Sequence, residues 1–468
     1  MLNKNFRSDS GSEHGKRTGR FWTAQLRGVF SSLAFVALFP AALAAQFTTS
    51  IQQTTPQAAV YGSGVQTPLL FEGETVPVNQ VFLSMGVLGF YDDNVFGRNS
   101  QRVGDEAISL NPRFGITKQS DRLKITFDYM PAFILYRQLS QFDRTNHYSD
   151  LSLTYRLTSH ITADVHDNFS YQEGDYPFLS TTPILSGPSS PTSPTQQILA
   201  YASRMLTNSA GLDLTFAKTR RTLFILSGGY NLLKYESQVV GQPLYNGIGL
   251  NGSLLIEHFV TERTKFGLLL LHQDTTYTGG TVFGNRLRSQ IESAYLSVGS
   301  RLSPTVFLTV FGGPQYLGTV GRTPTSVGVP GHLQGSGGGS LTKEVRKTAL
   351  DLTFQRSVSG RGGLYTSVES TIGTFAARRQ LVGNWEADVH FGVADQDASL
   401  FKLANGKTEG LFGGVSISRP LSHGSVFHVS YDSMHQLSKG SLPIVSNFDR
   451  NLISVGIDYR FKALPLGR

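Results

Sequence analysis

An alternation of apolar and polar residues recurs from Asn79 onward, in segments of about 10 to 14 residues, and constrains the fold more than any other feature. The last segment shows it most clearly, because one face carries Ile453, Val455, Ile457, Tyr459 and Phe461. Successive side chains of a strand point to opposite faces, so this period of two predicts β-strands with one apolar face. Strands of a β-sandwich alternate as well, so alternation alone does not distinguish a sandwich from a membrane barrel.

Three features favour a transmembrane barrel: long strands, aromatic residues near strand ends, and connections that alternate between short and long. The short connections are 118–121, 157–160, 218–221, 261–264, 302–305, 344–347, 381–384 and 420–424. The long connections are 92–104, 138–146, 173–203, 237–246, 276–286, 319–331, 358–363, 397–408 and 438–450. A sheet that spans lipid must close, because an open edge would leave backbone groups without partners. The sequence therefore predicts an all-β, antiparallel, up-and-down barrel of about 18 strands, with 16 as the fallback, short periplasmic turns and long extracellular loops.

The N-terminal region has the composition of an export signal. Residues 1–27 are basic and polar, the run from Val29 to Leu43 is apolar, and Ala42-Leu43-Ala44 supplies a small-residue cleavage pattern. We expect residues 1–44 to be a signal peptide for Sec-type export to the bacterial outer membrane. Residues 45–78 are predicted to be a flexible periplasmic arm, 79–461 the barrel, and 462–468 a short C-terminal tail.

Composition and charge exclude several classes of function. The chain has no cysteine, which excludes disulfides and thiolate metal sites. Half of the net charge of +8 belongs to residues 1–44, and the remainder shows no block of Lys and Arg with interleaved aromatic residues. We therefore expect no nucleic-acid partner, and no cofactor or metal site is predicted.

The segment VFLSMGVLGFYDDNVFGRN at 81–99 contains the run Tyr91, Asp92, Asp93, Asn94, Val95. This run resembles the signature with which members of the β-barrel porin type 2 family of outer-membrane proteins begin. The resemblance implies an outer-membrane barrel, often encoded near exopolysaccharide genes, with no established substrate. The closing strand, with Tyr459 and Phe461, resembles the signal read by the barrel-assembly machinery, although the seven residues KALPLGR after Phe461 depart from that pattern.

The run Asp92-Asp93-Asn94 has two interpretations. Two carboxylates and an amide suit a hard cation such as Ca²⁺, but their spacing is not that of an EF-hand loop. Asp and Asn also favour turns, because their side chains bond to nearby backbone groups. The turn is the preferred hypothesis.

Alternation also predicts which charged side chains face the lumen. Rings of one sign would indicate ion selectivity, whereas mixed signs more often form cross-strand pairs. The candidate lumen-lining residues are Arg113, Lys124, Asp128, Asp150, Arg156, Asp164, Asp351, Glu386, Asp388, Asp432, Asp458 and Arg460.

The sequence favours a passive outer-membrane channel for small hydrophilic or saccharide solutes and not an enzyme. One alternative is an exopolysaccharide export component, which inward-facing aromatic ladders would support. A second is a lumenal hydrolase, since His166, His390 and His428 are predicted to face inward. The expected partners are outer-membrane lipid, the barrel-assembly machinery, and solutes or polysaccharide. The oligomeric state, and whether the connection 173–203 blocks the lumen, are left open.

Overall fold

The computed structural model describes residues 79–466, apart from 98, 101, 174–203, 237–245, 279–286, 322–330, 360–367, 398–405, 422–423 and 441–446. All of these residues belong to one unit that spans 46–468. The predicted signal peptide, the predicted periplasmic arm and almost all of the connection 173–203 lie outside the described residues. Within the described part of the chain, no helix is both long enough and apolar enough to cross a membrane.

Eighteen antiparallel strands form one closed sheet, as the alternation predicts. Each strand pairs with the next along the chain, and β1 closes the ring by pairing with both β2 and β18. The strands are β1 (Gln80–Asp92), β2 (Asp105–Gln119), β3 (Leu123–Tyr136), β4 (Arg144–Arg156), β5 (Ile161–Glu173), β6 (Arg204–Ala217), β7 (Thr222–Tyr235), β8 (Asn246–Phe259), β9 (Thr264–Thr278), β10 (Leu287–Ser303), β11 (Val306–Gly321), β12 (His332–Val345), β13 (Thr348–Ser359), β14 (Val368–Gln380), β15 (Glu386–Asp397), β16 (Gly406–Pro420), β17 (Ser425–Gly440) and β18 (Phe448–Arg460).

The connections alternate as predicted, with every short turn at one end of the barrel and every long connection at the other. Strand ends differ from the prediction by a few residues. For example, the connection predicted at 438–450 is shorter, because β17 continues to Gly440 and β18 begins at Phe448. The pairing continues into polar residues, so a loss of apolar alternation does not mark where a strand ends.

The outer face of the barrel is apolar. On β18 the exposed side chains Ile453, Val455, Ile457 and Tyr459 alternate with the buried Ser454 and Asp458. The remaining strands likewise present one face outward and one inward, because each pairs in register with its neighbour. Residues on the face opposite these exposed apolar side chains therefore point into the lumen, and we call them inward-facing.

The glycine-rich strand β12 lies very close to its neighbours. A Cβ atom at Gly337 would lie 2.6 Å from the carbonyl oxygen of Phe311 and 2.9 Å from the Cα of Gly312. At Gly335, on the same face of the same strand, a Cβ would meet no atom within 4 Å. The glycine run thus contributes a closely packed part of the wall.

The C-terminal tail also takes part in the sheet, which the sequence did not predict. Leu464 and Pro465 form a short strand, β19, which pairs with Val81 and Gln80 at the start of β1. The backbone N–H of Leu466 donates to the carbonyl of Asn79 at 2.7 Å. The tail thereby continues the closing ladder beyond the end of β18.

Removing the tail should weaken the closure of the barrel. A chain that ends at Phe461 loses the bond from Leu466 to Asn79 and the β19 pairing. We expect a loss of about 1–2 kcal/mol in the free energy of unfolding, the net value of one or two backbone hydrogen bonds. Urea unfolding of the refolded barrel would measure it. A chain that ends at Leu466 is the control, and an equal loss in both chains would contradict the role of β19.

Candidate lumenal surface and barrel seam

All twelve candidate lumen-lining residues lie on the inward face. Ten of them fall into two groups, one on β2–β5 and one on β13–β18, while Lys124 and Arg460 are exposed near the short-turn end. The first group contains Arg113, Asp128, Asp150, Arg156 and Asp164. The second contains Asp351, Glu386, Asp388, Asp432 and Asp458.

In the first group, carboxylates lie directly opposite one another across strand pairs. Asp128 pairs in register with Asp150, and Asp164 pairs with Asp213 on β6. Like charges in such positions repel unless other groups compensate. Arg113 compensates the first pair, because its Nε donates to both carboxylate oxygens of Asp128 at 2.8 and 2.9 Å.

The remaining carboxylates of this group have weaker partners. Asp150 accepts a bond from the side-chain amide of Asn168 at 3.3 Å, and Asp164 accepts one from the hydroxyl of Thr154 at 2.5 Å. The basic Arg156 does not reach either of them, since its guanidinium donates to the carbonyl of Asp121 at 2.8 Å. This part of the wall is therefore rich in negative charge.

In the second group, two carboxylates lie beside Arg378, a buried arginine of β14. Its Nε lies 3.0 Å from an oxygen of Glu386 and 3.9 Å from one of Asp388. Asp351 has no such charge partner among its described contacts and accepts a bond from the hydroxyl of Thr342 at 3.1 Å. Both groups thus mix cross-strand ion pairs with carboxylates that only neutral groups contact.

The three histidines predicted to face inward share one arrangement. Each ring lies over a glycine on the neighbouring strand, which leaves room for it: His166 over Gly211, His390 over Gly414, and His428 over Gly456. Each ring also approaches a carboxylate that lies near that glycine. The nearest distances between a ring nitrogen and a carboxylate oxygen are 3.6 Å to Asp213, 3.3 Å to Asp432 and 3.3 Å to Asp458, respectively.

These contacts bear on the hydrolase alternative. A catalytic triad requires a serine hydroxyl that donates to the histidine. In the described part of the chain, the contacts of the three histidines are with carboxylates, and none is with a serine hydroxyl. The geometry therefore offers no support for a lumenal triad.

A row of apolar side chains also faces inward, which the sequence analysis missed. Ile225, Leu255, Leu269 and Tyr295 lie side by side on β7 to β10 and are at most 4% exposed. Strand β9 contains an unbroken run of four leucines from Leu268, so alternation disappears where both faces are apolar. The inner wall therefore has a row of apolar side chains between the two charged groups.

The run Asp92-Asp93-Asn94 lies at the seam where β1 meets β18. Asp92 is fully buried and forms a bidentate ion pair with Arg450, which is also buried, with the arginine Nε at 3.0 and 3.1 Å from the two oxygens. Asp92 also accepts a bond from the backbone N–H of Asn94 at 3.0 Å. Leu88, Phe90 and Leu452 form part of an apolar cluster in the same region.

The other two residues of the run contact the same strand. Asp93 accepts bonds from the backbone and the side-chain amide of Asn451 at 2.6 and 2.7 Å. Asn94 donates from its amide to the carbonyl of Asp449 at 2.8 Å. We call the five residues Asp92, Asp93, Asn94, Arg450 and Asn451 the seam clasp. Their polar groups join the two ends of the sheet, so the turn interpretation is correct but incomplete.

The cation interpretation of this run gains no support. Within the described residues, no group of three or more His, Asp or Glu side chains is placed to hold a metal ion. Arg450 already supplies the positive charge beside Asp92.

The closed antiparallel ring, with its apolar outer face and charged inner groups, defines the chain as a β-barrel of the transmembrane kind. No protein-family model matches it, and no curated protein sequence does. Similar solved structures include OpdK of Pseudomonas aeruginosa with vanillate (12% identity, 82% of this chain and 100% of that chain, TM-score 0.41). OccAB4 of Acinetobacter baumannii is also similar (11% identity, 82% and 98%, TM-score 0.39).

The ferric citrate transporter FecA is similar as well, with 12% identity and a TM-score of 0.43 over 82% of this chain. The chain spans 64% of the length of FecA. At these identities and TM-scores, none of the three assigns a family or a solute to this chain.

Proposed function

We propose that the chain forms a passive channel of the bacterial outer membrane for small hydrophilic or saccharide solutes. The observation that carries this proposal is the contrast between the two faces of the closed barrel. Its outer face exposes Ile453, Val455 and Ile457, which suits lipid, whereas its inner face carries the two charged groups. A barrel of this strand number is wide enough for an aqueous channel. The resemblance of the run Tyr91–Val95 to the porin type 2 family is part of the proposal.

The apolar row within the lumen does not favour export of a polysaccharide. An export channel would present exposed aromatic side chains for sugars to stack on. Tyr277, Tyr295 and Phe448 face inward but are at most 1% exposed. The described aromatic residues therefore support a simple channel better than a stacking ladder.

Single-channel recording tests the proposal directly. The refolded chain in a planar bilayer should give stable conductance steps, and a salt gradient should give a reversal potential that reports which wall charges dominate. A folded barrel that never conducts would contradict the proposal.

Neutralising Asp164 and Asp213 should change the selectivity of the channel. Each carboxylate attracts a monovalent cation about 10 Å away in water by about 0.4 kcal/mol, which is about twofold in local concentration. We expect the D164N/D213N variant to lower the cation-to-anion permeability ratio by about two- to fourfold. Reversal potentials in a KCl gradient would measure the change.

The same strand offers a matched control for this substitution. Asp167 alternates with Asp164 onto the outer face of β5, where it accepts a bond from Asn208 at 2.7 Å. The D167N variant should leave the reversal potential unchanged. Equal shifts in both variants, or no shift in either, would count against a water-filled lumen beside Asp164.

A further inference from the structure

The end of the barrel that carries the short turns is strongly basic. The turns 118–122, 156–160, 218–221, 260–263, 302–305, 343–347, 379–385, 419–421 and the tail 460–466 contain fourteen Lys and Arg residues and three acidic residues. The long connections at the other end, although longer in total, carry about half as many basic residues. A periplasmic turn needs no positive charge to close a hairpin. Hairpin formation therefore does not explain the excess of basic residues at this end.

Part of this charge lies on three consecutive turns that are side by side along the rim. These turns join β12 to β13, β14 to β15, and β16 to β17, and they present Lys343, Arg346, Lys347, Arg379 and Arg419 as exposed residues. We call these five residues the basic collar. Glu344 is the single acidic residue described in the three turns. None of the five basic side chains forms a described ion pair.

The same three turns expose apolar side chains. Val382 is 91% exposed, and Val345, Leu381 and Leu421 are 39–45% exposed. The turn that presents Val382 also contains Gly383 and Asn384, both with positive φ, so it is a tight turn. A valine exposed to this degree is costly in water and is stable in an apolar environment.

Aromatic packing gives a third feature of this rim. The guanidinium carbon of Arg419 lies 5.3 Å from the centre of the Trp385 ring. Tryptophan and basic residues together are typical of the boundary between the hydrocarbon and the head groups of a membrane. Exposed basic residues that alternate with exposed apolar residues fit a surface that is both apolar and anionic. A soluble polyanion would satisfy the charges but would leave Val382 in water.

We propose that the basic collar binds the head groups of anionic phospholipids, such as phosphatidylglycerol, in the leaflet that surrounds the short turns. This inference rests on the membrane placement in the proposed function and adds the class of lipid. The apolar side chains of the three turns enter the acyl region, and Lys343, Arg346 and Arg379 contact the phosphates. Residues that are both basic and long can reach a phosphate while their methylene stems remain among the acyl chains.

The chain carries its own fluorescent reporter for this rim. Its two tryptophans are Trp22, in the predicted signal peptide, and Trp385, beside the collar. In the full chain with the substitution W22F, tryptophan emission comes from Trp385 alone. Two sets of phosphatidylcholine vesicles are then compared. One contains brominated phosphatidylglycerol, and the other contains the same fraction of brominated phosphatidylcholine, so the two sets differ only in the head group of the quencher.

We expect the quenching of Trp385 to correspond to an enrichment of brominated phosphatidylglycerol over brominated phosphatidylcholine of about fivefold at this site. One basic side chain near an anionic surface has an effect of this size. High salt should reduce the difference. The R346Q/R379Q variant should reduce it and leaves Arg419 on the Trp385 ring. The R288Q/R356Q variant, at the opposite rim, should keep it, because those arginines already pair with Asp274 and Glu369.

The outcomes separate this inference from the proposed function. Equal quenching by the two brominated lipids overturns the anionic preference, while channel conductance in the same membranes still supports the proposed channel. Quenching by neither lipid places Trp385 away from the bilayer and overturns the lipid contact. Loss of the preference in R288Q/R356Q as well as in R346Q/R379Q assigns it to net charge and overturns the role of the collar.

Discussion

Replacing Arg450 by methionine should destabilise the barrel by about 3–5 kcal/mol, the cost of leaving a buried carboxylate without its ion-pair partner. The partner is Asp92, which has no exposed surface and cannot recover hydration without local opening of the seam. Urea unfolding of the refolded barrel, followed by far-UV circular dichroism, would measure the loss.

The double variant D92L/R450M separates the pair from the packing around it. Leu88, Phe90 and Leu452 already make this region apolar, so two apolar side chains should recover most of the lost stability. Recovery should be incomplete by about 1 kcal/mol, because the backbone N–H of Asn94 loses its acceptor on Asp92. If R450M alone unfolds at the wild-type urea concentration, the clasp does not hold the seam.

Replacing Gly337 by alanine should cost about 1–3 kcal/mol, because the new methyl group would collide with backbone atoms. The atoms are the carbonyl oxygen of Phe311 and the Cα of Gly312, and neither can turn aside as a side chain can. Urea unfolding again provides the measurement. The loss should appear mainly as a lower midpoint with an unchanged slope, since the barrel still closes.

The matched substitution is Gly335→Ala, two residues earlier on the same face of β12. Its Cβ would meet no atom within 4 Å, and alanine restricts the unfolded chain more than glycine does. We expect no loss of stability and a gain of about 0.5 kcal/mol. Equal losses at Gly335 and Gly337 would show that strand propensity, and not the contact with β11, decides the effect.

The sequence predicted the barrel because lipid imposes a simple demand on one face of every strand. Ile453, Val455 and Ile457 alternate with polar residues for that reason. The connections between the alternating segments predicted the strand number, and the alternation predicted which face charges such as Asp128 and Asp458 occupy. The strand ends were less well predicted, since pairing continues beyond the apolar belt into polar residues.

Other features depend on register and could not be obtained from one strand at a time. The pairing of Arg113 with Asp128 requires the alignment of β2 with β3. The clasp joins Asp92 to a residue 358 positions away. Leu269 was missed because it sits in a run of leucines, where a strand with two apolar faces has no alternation to read.

The seam clasp and β19 seal the two ends of one joint, and each ties the first strand, at Asp92 or at Val81, to residues near the end of the barrel. Until those residues arrive, β1 and the most recently added strand each present a free edge, which lipid does not tolerate. A chain that lacks β18 is therefore not a narrower barrel but an open ribbon. The barrel can form only as a complete circle, so its enclosed lumen and its stability are acquired together, when β1 pairs with β18.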